Sequence, residues 1–338
     1  MQKSSLTPII GKFTFAAIAA FGLVLTCSAS QAQHAGKVYR VGVLFNGGPG
    51  PVFDALRQGL ARLGHIEGTN VVFEARFAEW QLDRLPGFAA ELVGMGVDVI
   101  ATYGGPPTRA AQMASTTIPI VAALVADPVA VGFAATLERP GGNITGITNN
   151  DPQLASRQLE ILKELFPKLA RVAILSDPDI PGADASGLAP IERSNVAAAK
   201  ALGIAPQVLK VRGPTPDFDP VFNAMVTERA EVLVVLAVPA PFFHRKQIAA
   251  LAATHRIPTM FYGGASDAGG LMTYGTSLTD TFPGMPIFVD RVLKGAKPAD
   301  MPFEVISRRE FVINLKTARE LGLTIPAEVL KRADRVID

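Results

Sequence analysis

From residue 37 onward, short β-branched runs alternate with longer stretches in which apolar positions recur every three to four residues. The runs at 38–45, 70–77 and 97–102 read as strands, and the stretches at 52–63 and 82–93 read as helices. The strings VDVIAT, IPIVAAL, RVAILS and EVLVVLAV are almost continuously apolar, as parallel strands covered by helices on both faces are. After a strand at 118–124 the rhythm meets the Gly- and Asn-rich string RPGGNITG at 139–146 and then resumes, with strands at 171–175, 207–211, 231–238 and 258–262. Two such sets predict an α/β chain of two Rossmann-like, doubly wound lobes. A short strand at 269–275, a helix at 280–293 and a strand at 310–314 place later segments back across the division. The expected lobes are 37–146 plus about 276–300, and 147–270 plus about 305–338. A single large sheet with decorated edges is the alternative.

The first 32 residues have a different pattern. Lys3 and Lys12 precede an uncharged apolar run at 13–25, and the small-residue string Ser30-Gln31-Ala32 follows. This is the layout of a secretory signal peptide, so the mature chain is expected to begin near Gln33 and to work in the periplasm. The run is shorter than the roughly 20 apolar residues that a membrane span needs. Cys27 is an alternative lipid attachment site, although Val24-Leu25-Thr26 lacks the small residue wanted just before it.

Setting the leader aside removes the only cysteine and two lysines, leaving 30 basic against 30 acidic side chains. No excess field draws the chain to nucleic acid, and none is expected as a partner. Without disulfides, the remaining chain depends on its core for stability, and its length is ample for one.

Open parallel sheets bind ligands beyond the carboxyl ends of their strands, which directs attention to the loops there. Asn46 and Gly47 open a glycine-rich loop after the first strand that lacks the spacing of a dinucleotide or P-loop site. Thr102, Tyr103, Gly104 and Gly105 lead into a helix start suited to an anion, although Pro106 and Pro107 remove two of its donors. Asp127, ahead of Pro128, reads either as the N-cap of a following helix or as a carboxylate aimed at a ligand amino group. Ser176-Asp177-Pro178 repeats that arrangement in the second set. Pro239, Phe242, Phe243 and Tyr262 follow later strands and Tyr274 lies at the return crossing, as core or as walls for a ligand. No nucleophile elbow, zincin pair or metal-ligand histidine spacing occurs, so no catalytic residue, metal or cofactor is expected.

The strings LARLGHIEGTNVVFE, VDVIATYGG, STTIPIVAALVADPVAVGF, LERPGGNITGI, GGLMTYG, VDRVLKGAKPADMPFE and FVINLKTARELGLTIPAEVLKRADRVI recur together in a known order. By them the chain resembles the ABC transporter substrate-binding proteins of the tryptophan-binding type, a branch of the periplasmic binding proteins of fold type I. The resemblance covers essentially all of the chain after the leader. It implies a three-segment hinge between the lobes, with a small molecule held in the cleft and no chemistry done on it. An amino acid or related small carboxylate, aromatic ones included, is the implied ligand, and an ABC permease with its ATPase the implied partner of a monomer. It also implies contacts near Asn46, Thr102 to Gly105, Asp127, Thr148, Asn149, Ser176, Asp177, Pro239 and Tyr262. A sensor module for a membrane receptor or kinase, and an exported α/β hydrolase or transferase, remain as alternatives.

Overall fold

Strand β1 (Tyr39–Phe45) is buried from Val41 to Phe45, and its side chains serve two cores at once. Val41, Val43 and Phe45 face one side of a sheet and Leu44 the other, which is why the run shows no polar alternation. A computed structural model describes residues 37–276 and 283–338. The expected leader at 1–32, Cys27 and the start of the helix expected at 280–293 lie outside the described residues.

Among the described residues the strands form two sheets. The first contains β1, β2 (Val71–Phe77), β3 (Val99–Tyr103), β4 (Ile120–Val125), β5 (Ile144–Thr148) and β11 (Glu304–Val305), in the order β11-β5-β4-β3-β1-β2, with every pair parallel. The second contains β6 (Arg171–Ser176), β7 (Ala205–Lys210), β8 (Val232–Val235), β9 (Thr259–Phe261), β10 (Met272–Thr276), β12 (Arg309–Asn314) and β13 (Arg335–Ile337). Its order is β13-β12-β10-β9-β8-β6-β7, parallel except between β10 and β12. This is the expected α/β fold of two parallel-dominated sheets.

Helices cover both faces of each sheet. On the first, α1 (Pro51–Arg62) and a helix from late in the chain, Gly284–Leu293, enclose a core of Leu56, Leu60, Met285, Phe288 and Val289 against β1 and β3. Helices α2 (Leu85–Gly94) and α3 (Gly105–Ala114) close the other face with Leu85, Leu92 and Ala111. On the second sheet, α4 (Leu154–Leu165) and α5 (Pro190–Ala201) pack Leu159, Leu162 and Ala199 onto β6 and β8. Opposite them, α6 (Asp219–Thr227) and α8 (Arg245–Thr254) supply Phe222, Met225 and Ile248. Between those two lies the short α7 (Pro239–Phe243). The late helix on the first sheet is α9 (Gly284–Leu293), and α10 (Leu315–Glu320) and α11 (Ala327–Leu330) finish the chain around β13.

The chain crosses between the sheets three times: after β5, between β10 and α9, and between β11 and β12. The first and third crossings are tied together by Arg309, whose Nε donates to Asp151 Oδ2 at 3.0 Å in a mostly buried pair.

Several local readings are corrected. The helix expected at 82–93 is a 3-10 turn over Leu82–Arg84 followed by α2, because Pro86 suits a helix start and not an interior. The strand expected at 231–238 stops at Val235, and the chain then turns so that Val238 caps α7 in an extended conformation. The Gly- and Asn-rich string at 139–146 contains the start of strand β5, which runs through Gly146 in the first sheet.

One buried carboxylate anchors α9. Asp290 accepts a 2.8 Å hydrogen bond from His65 Nε2, and Lys294 Nζ lies 2.8 Å from the same carboxylate oxygen. Burial pushes the Asp290 carboxyl up, and the Lys294 and His65 hydrogen bonds more than offset it, so its pKa lies below the usual carboxylate range. The folded pKa is thus below the unfolded one. Its contribution is present above the unfolded pKa and is lost as pH falls through the folded value. Melting temperature is therefore expected to drop as pH falls below about 4, and Asp290→Asn to show a smaller acid loss than the parent from a lower starting point. Scanning fluorimetry across that range checks this; parallel profiles for the two proteins would refute it.

Candidate functional site

Within the compact unit Tyr39–Asp338, loops beyond the carboxyl ends of strands from the two sheets meet. Gly105, after β3, lies against Pro181, after β6, and Trp80, after β2, lies against Phe242 and Phe243, after β8. The cleft between the sheets is where these loops face each other. On the first sheet, Asn46 leaves β1 buried, and its Oδ1 has no hydrogen-bond partner. Its Nδ2 lies 3.0 Å from where a side chain on Gly104 would begin, and at φ 93° any side chain there would be strained as well as pressing on Asn46. Thr108 Oγ1 donates to Gly104 O at 2.7 Å. The 2.8 Å contact between the Thr102 and Thr108 hydroxyls then uses the Thr102 proton, and Thr102 acts within the loop. Tyr103 is half-buried and packs on Phe45 with centroids 6.0 Å apart.

Helix α3 begins at Gly105 with prolines next, so Gly105 presents the leading N–H of a turn that has lost two donors. Arg109 on the same helix turns away: its guanidinium donates to Val131 O and lies over the Phe133 ring at 4.8 Å. Gly105 meets the opposite lobe directly, since a Cβ there would lie 3.0 Å from Pro181.

Asp127 is half-buried after β4, which carries a bulge at Leu124 with φ 57°. Oδ1 of Asp127 accepts from Ala130 N at 2.9 Å, and Val131 N donates to Asp127 O at 3.1 Å. It caps a turn, and no helix follows: Gly132 at φ 75° diverts the chain. The N-cap reading is therefore corrected: Asp127 caps a turn, through Oδ1 alone.

At the first crossing, Thr148 is buried with its hydroxyl engaged twice, donating to Val125 O at 2.6 Å and accepting from Asn150 N at 2.9 Å. Its neighbour Asn149 has a buried Oδ1 without a partner.

On the second sheet, Ser176 ends β6 fully buried, and its hydroxyl is also unpartnered. Asp177 does not cap a helix that follows it, as Asp-Pro suggested. Its Oδ1 accepts from Asp179 N at 2.8 Å, and its Oδ2 accepts from Ala240 N at 2.9 Å, anchoring the start of α7. Pro239 begins that helix and is buried. Tyr262 is buried, and its hydroxyl accepts from Asn195 Nδ2 at 2.7 Å. Burial pushes this hydroxyl far above its ordinary range, the Asn195 bond pulling partly back. Tyr274 lies on β10 with its ring edge-on to Phe311 at 5.8 Å, packed against the core of the second sheet.

The structure thus brings unpartnered buried oxygens to the cleft side of the fold from three regions: Asn46 on one sheet, Ser176 on the other and Asn149 at the crossing. Such atoms are costly unless something satisfies them. Among the described residues no cluster of three or more His, Cys, Asp or Glu is arranged for a metal ion. No described helix is long and apolar enough to cross a membrane.

The profile of the family described as "ABC transporter substrate binding protein" matches residues 51–337. This chain belongs to that family. The family is one of solute-binding proteins, and the two-sheet architecture is the type I fold. Among solved structures, a conserved domain protein from Vibrio cholerae superposes with a TM-score of 0.77 at 25% identity, covering 89% of this chain and 100% of that one. The ABC domain in complex with L-Trp from Streptococcus pneumonia gives 0.75 at 25% identity, covering 88% and 99%. A tyrosine-binding protein of Clostridioides difficile is 29% identical over 129 residues, which span only 37% of either protein.

Three further positions stand out in the structure that the sequence pattern did not single out. Asn195 and Gln158, on helices α5 and α4, are buried with unpartnered amide oxygens, although helix polar residues ordinarily read as surface. Trp80, just after β2, spans from Gly47 to Phe242 and Phe243 on the other lobe. Its signal was available: it is the only tryptophan, and it sits at a strand's carboxyl end.

Proposed function

We propose that this chain captures an amino acid, with aromatic ones first among candidates, in the cleft between its sheets. In this reading it works outside the cytoplasm, performs no chemistry on the solute and delivers it to the permease of an ABC importer. The observation that carries this is the set of unpartnered buried oxygens on Asn46, Asn149 and Ser176, drawn from both sheets and a crossing. In this reading groups so distributed gain partners from a polar solute held between the lobes, which couples closure to binding.

A zwitterion suits the rest of the surround. Asp127 has one oxygen committed to Ala130 N and one left for an ammonium, while the start of α3 at Gly105 offers N–H and the positive end of a helix to a carboxylate. Tyr262 after β9 and Pro239 after β8, both buried, are the apolar walls of this reading on the second lobe. Relatives described with tyrosine and with bound L-Trp support an aromatic side chain between such walls. The family's role in transport supports delivery to a permease.

A thermal-shift panel of amino acids, purines and aromatic carboxylates tests the reading. A solute at about 100 times its dissociation constant adds roughly 2.7 kcal/mol of stability, and at least one amino acid is expected to do so. Asp127→Ala should then weaken that amino acid while sparing the deaminated acid. Turnover of a solute in excess, or stabilisation by no amino acid at all, would overturn it.

A further inference from the structure

Trp80 occupies an uncommon backbone. Glu79 and Trp80 have φ of 51° and 65°, the one consecutive pair of left-handed non-glycine residues among the described residues. Bulky side chains adopt this region at an energetic cost, and such strain persists where the surroundings hold it. Here they do: Trp80 N donates to Asn46 O at 2.7 Å and Glu79 N to Gly47 O at 3.4 Å, fastening the corner to the first loop. The corner aims the indole over Gly47, where a Cβ would lie 3.1 Å from the ring.

Across the cleft, the receiving surface is built on helix α7. The Trp80 ring lies 5.1 Å from that of Phe243 at an interplanar angle of 31°, and 6.3 Å from that of Phe242 at 36°. Phe242 is backed by Arg245 at 5.0 Å, itself fixed by both carboxylate oxygens of Asp267. The edge of His244 meets Phe243 at 4.7 Å. Asp177 anchors the same helix at Ala240. Trp80 therefore joins the loop that carries Asn46 and Gly47 to the helix that begins at Pro239. Phe243 nonetheless stays 42% exposed, which places this stack at the rim rather than in the interior.

We propose that Trp80 is a gate: its indole, seated on Gly47, closes the rim by stacking on Phe242 and Phe243 and sets how fast a captured solute leaves. This rests on the cleft being the solute site. Aromatic stacking at two rings supports a change in release rate of about tenfold. The gate positions no atom of the solute, so its loss should leave selectivity among solutes unaltered.

The test places a bimane label at Phe243→Cys in the full chain carrying Cys27→Ser, with Trp80 intact or replaced by Phe. Contact with the indole quenches this label, so emission with Trp80 is expected to be at least about twofold lower than in the Trp80→Phe background. Addition of L-tyrosine as probe should deepen the difference. In the unlabelled protein, Trp80→Ala should release radiolabelled L-tyrosine about tenfold faster, with Trp80→Phe between it and the parent. Equal emission in the two backgrounds, with and without L-tyrosine, or an unchanged release rate in Trp80→Ala, would overturn the gate. The two readings separate cleanly. Quenching in a protein that no amino acid stabilises keeps the gate and discards the amino-acid reading. Stabilisation with equal emission does the reverse.

Discussion

Replacing Gly146 by alanine is expected to destabilise the protein by more than about 4 kcal/mol, a large share of the roughly 5–15 kcal/mol that holds a folded domain together. Gly146 pairs with Ala122 in the parallel ladder between β4 and β5. Its φ is 145°, and a Cβ there would stand 1.8 Å from Ala122 O. No rotamer relieves this, because both atoms in the clash belong to backbone or are fixed to it. The strand must either leave the ladder or rotate, and rotation carries Thr148 away from Val125 O. Gly263→Ala is expected to act with similar force on the second sheet, where the added atom would meet Thr276 O at 2.0 Å. Gly142→Ala is the matched control: nothing lies within 4 Å of its Cβ position, and the change should stay within about 0.5 kcal/mol. Urea midpoints followed by circular dichroism measure all three, and a Gly146→Ala midpoint equal to that of Gly142→Ala would refute the account.

The second large effect is expected at Asp177. Its carboxylate is buried and accepts from two backbone N–H groups, one local and one 63 residues away at the head of α7. Asp177→Ala leaves both donors without their acceptor, at a cost of about 2–4 kcal/mol, and frees the helix that carries Pro239 and the receiving face for Trp80. Solute binding should weaken together with stability. Asp177→Asn keeps a single acceptor oxygen and should lose about half as much. Burial pushes the Asp177 carboxyl above its usual range, against the pull of the two N–H bonds. With the folded pKa above the unfolded one, its contribution is fully present below the unfolded pKa and declines as pH rises through the folded value. The asparagine variant should lack that decline. Melting profiles against pH for parent and variant decide it; identical slopes would count against this role.

The order of strands and helices was legible because buried parallel strands need apolar residues on both faces and so announce themselves as runs. Strand β5 escaped because Ile-Thr-Gly-Ile-Thr carries a glycine and two threonines, whose hydroxyls are satisfied by distant backbone that no local pattern reveals. Strand β11 has two exposed residues, too few for a period. Asp127 and Asp177 show the limit most clearly. An Asp-Pro pair announces an acceptor in search of backbone N–H, and each aspartate found one, but whether a helix continues depends on later residues such as Gly132. Which helix is capped from afar depends on the assembled sheet. The strand-end rule directed attention to Asn46, Gly104, Asp127 and Ser176, and the structure places them at or just beyond the carboxyl ends of β1, β3, β4 and β6. It passed over Trp80, which sits at a strand's carboxyl end but meets rings on α7 of the other half. It also passed over Gln158 and Asn195, whose partners Tyr274 O and the Tyr262 hydroxyl lie far along the chain in the same half.

The late return of α9 and β11 to the first sheet has a consequence for how the molecule comes into being. Met285, Phe288 and Val289 cover the face formed by β1 and β3, yet they lie far downstream, beyond most of the second sheet. A nascent chain that has emerged only as far as β5 has that face covered by α1 but not yet by α9, and the second sheet in turn waits for β12. Neither half is closed by its own contiguous stretch of chain, so ordering one demands that the other be nearly complete. Each core is therefore completed only by segments that lie late in the chain.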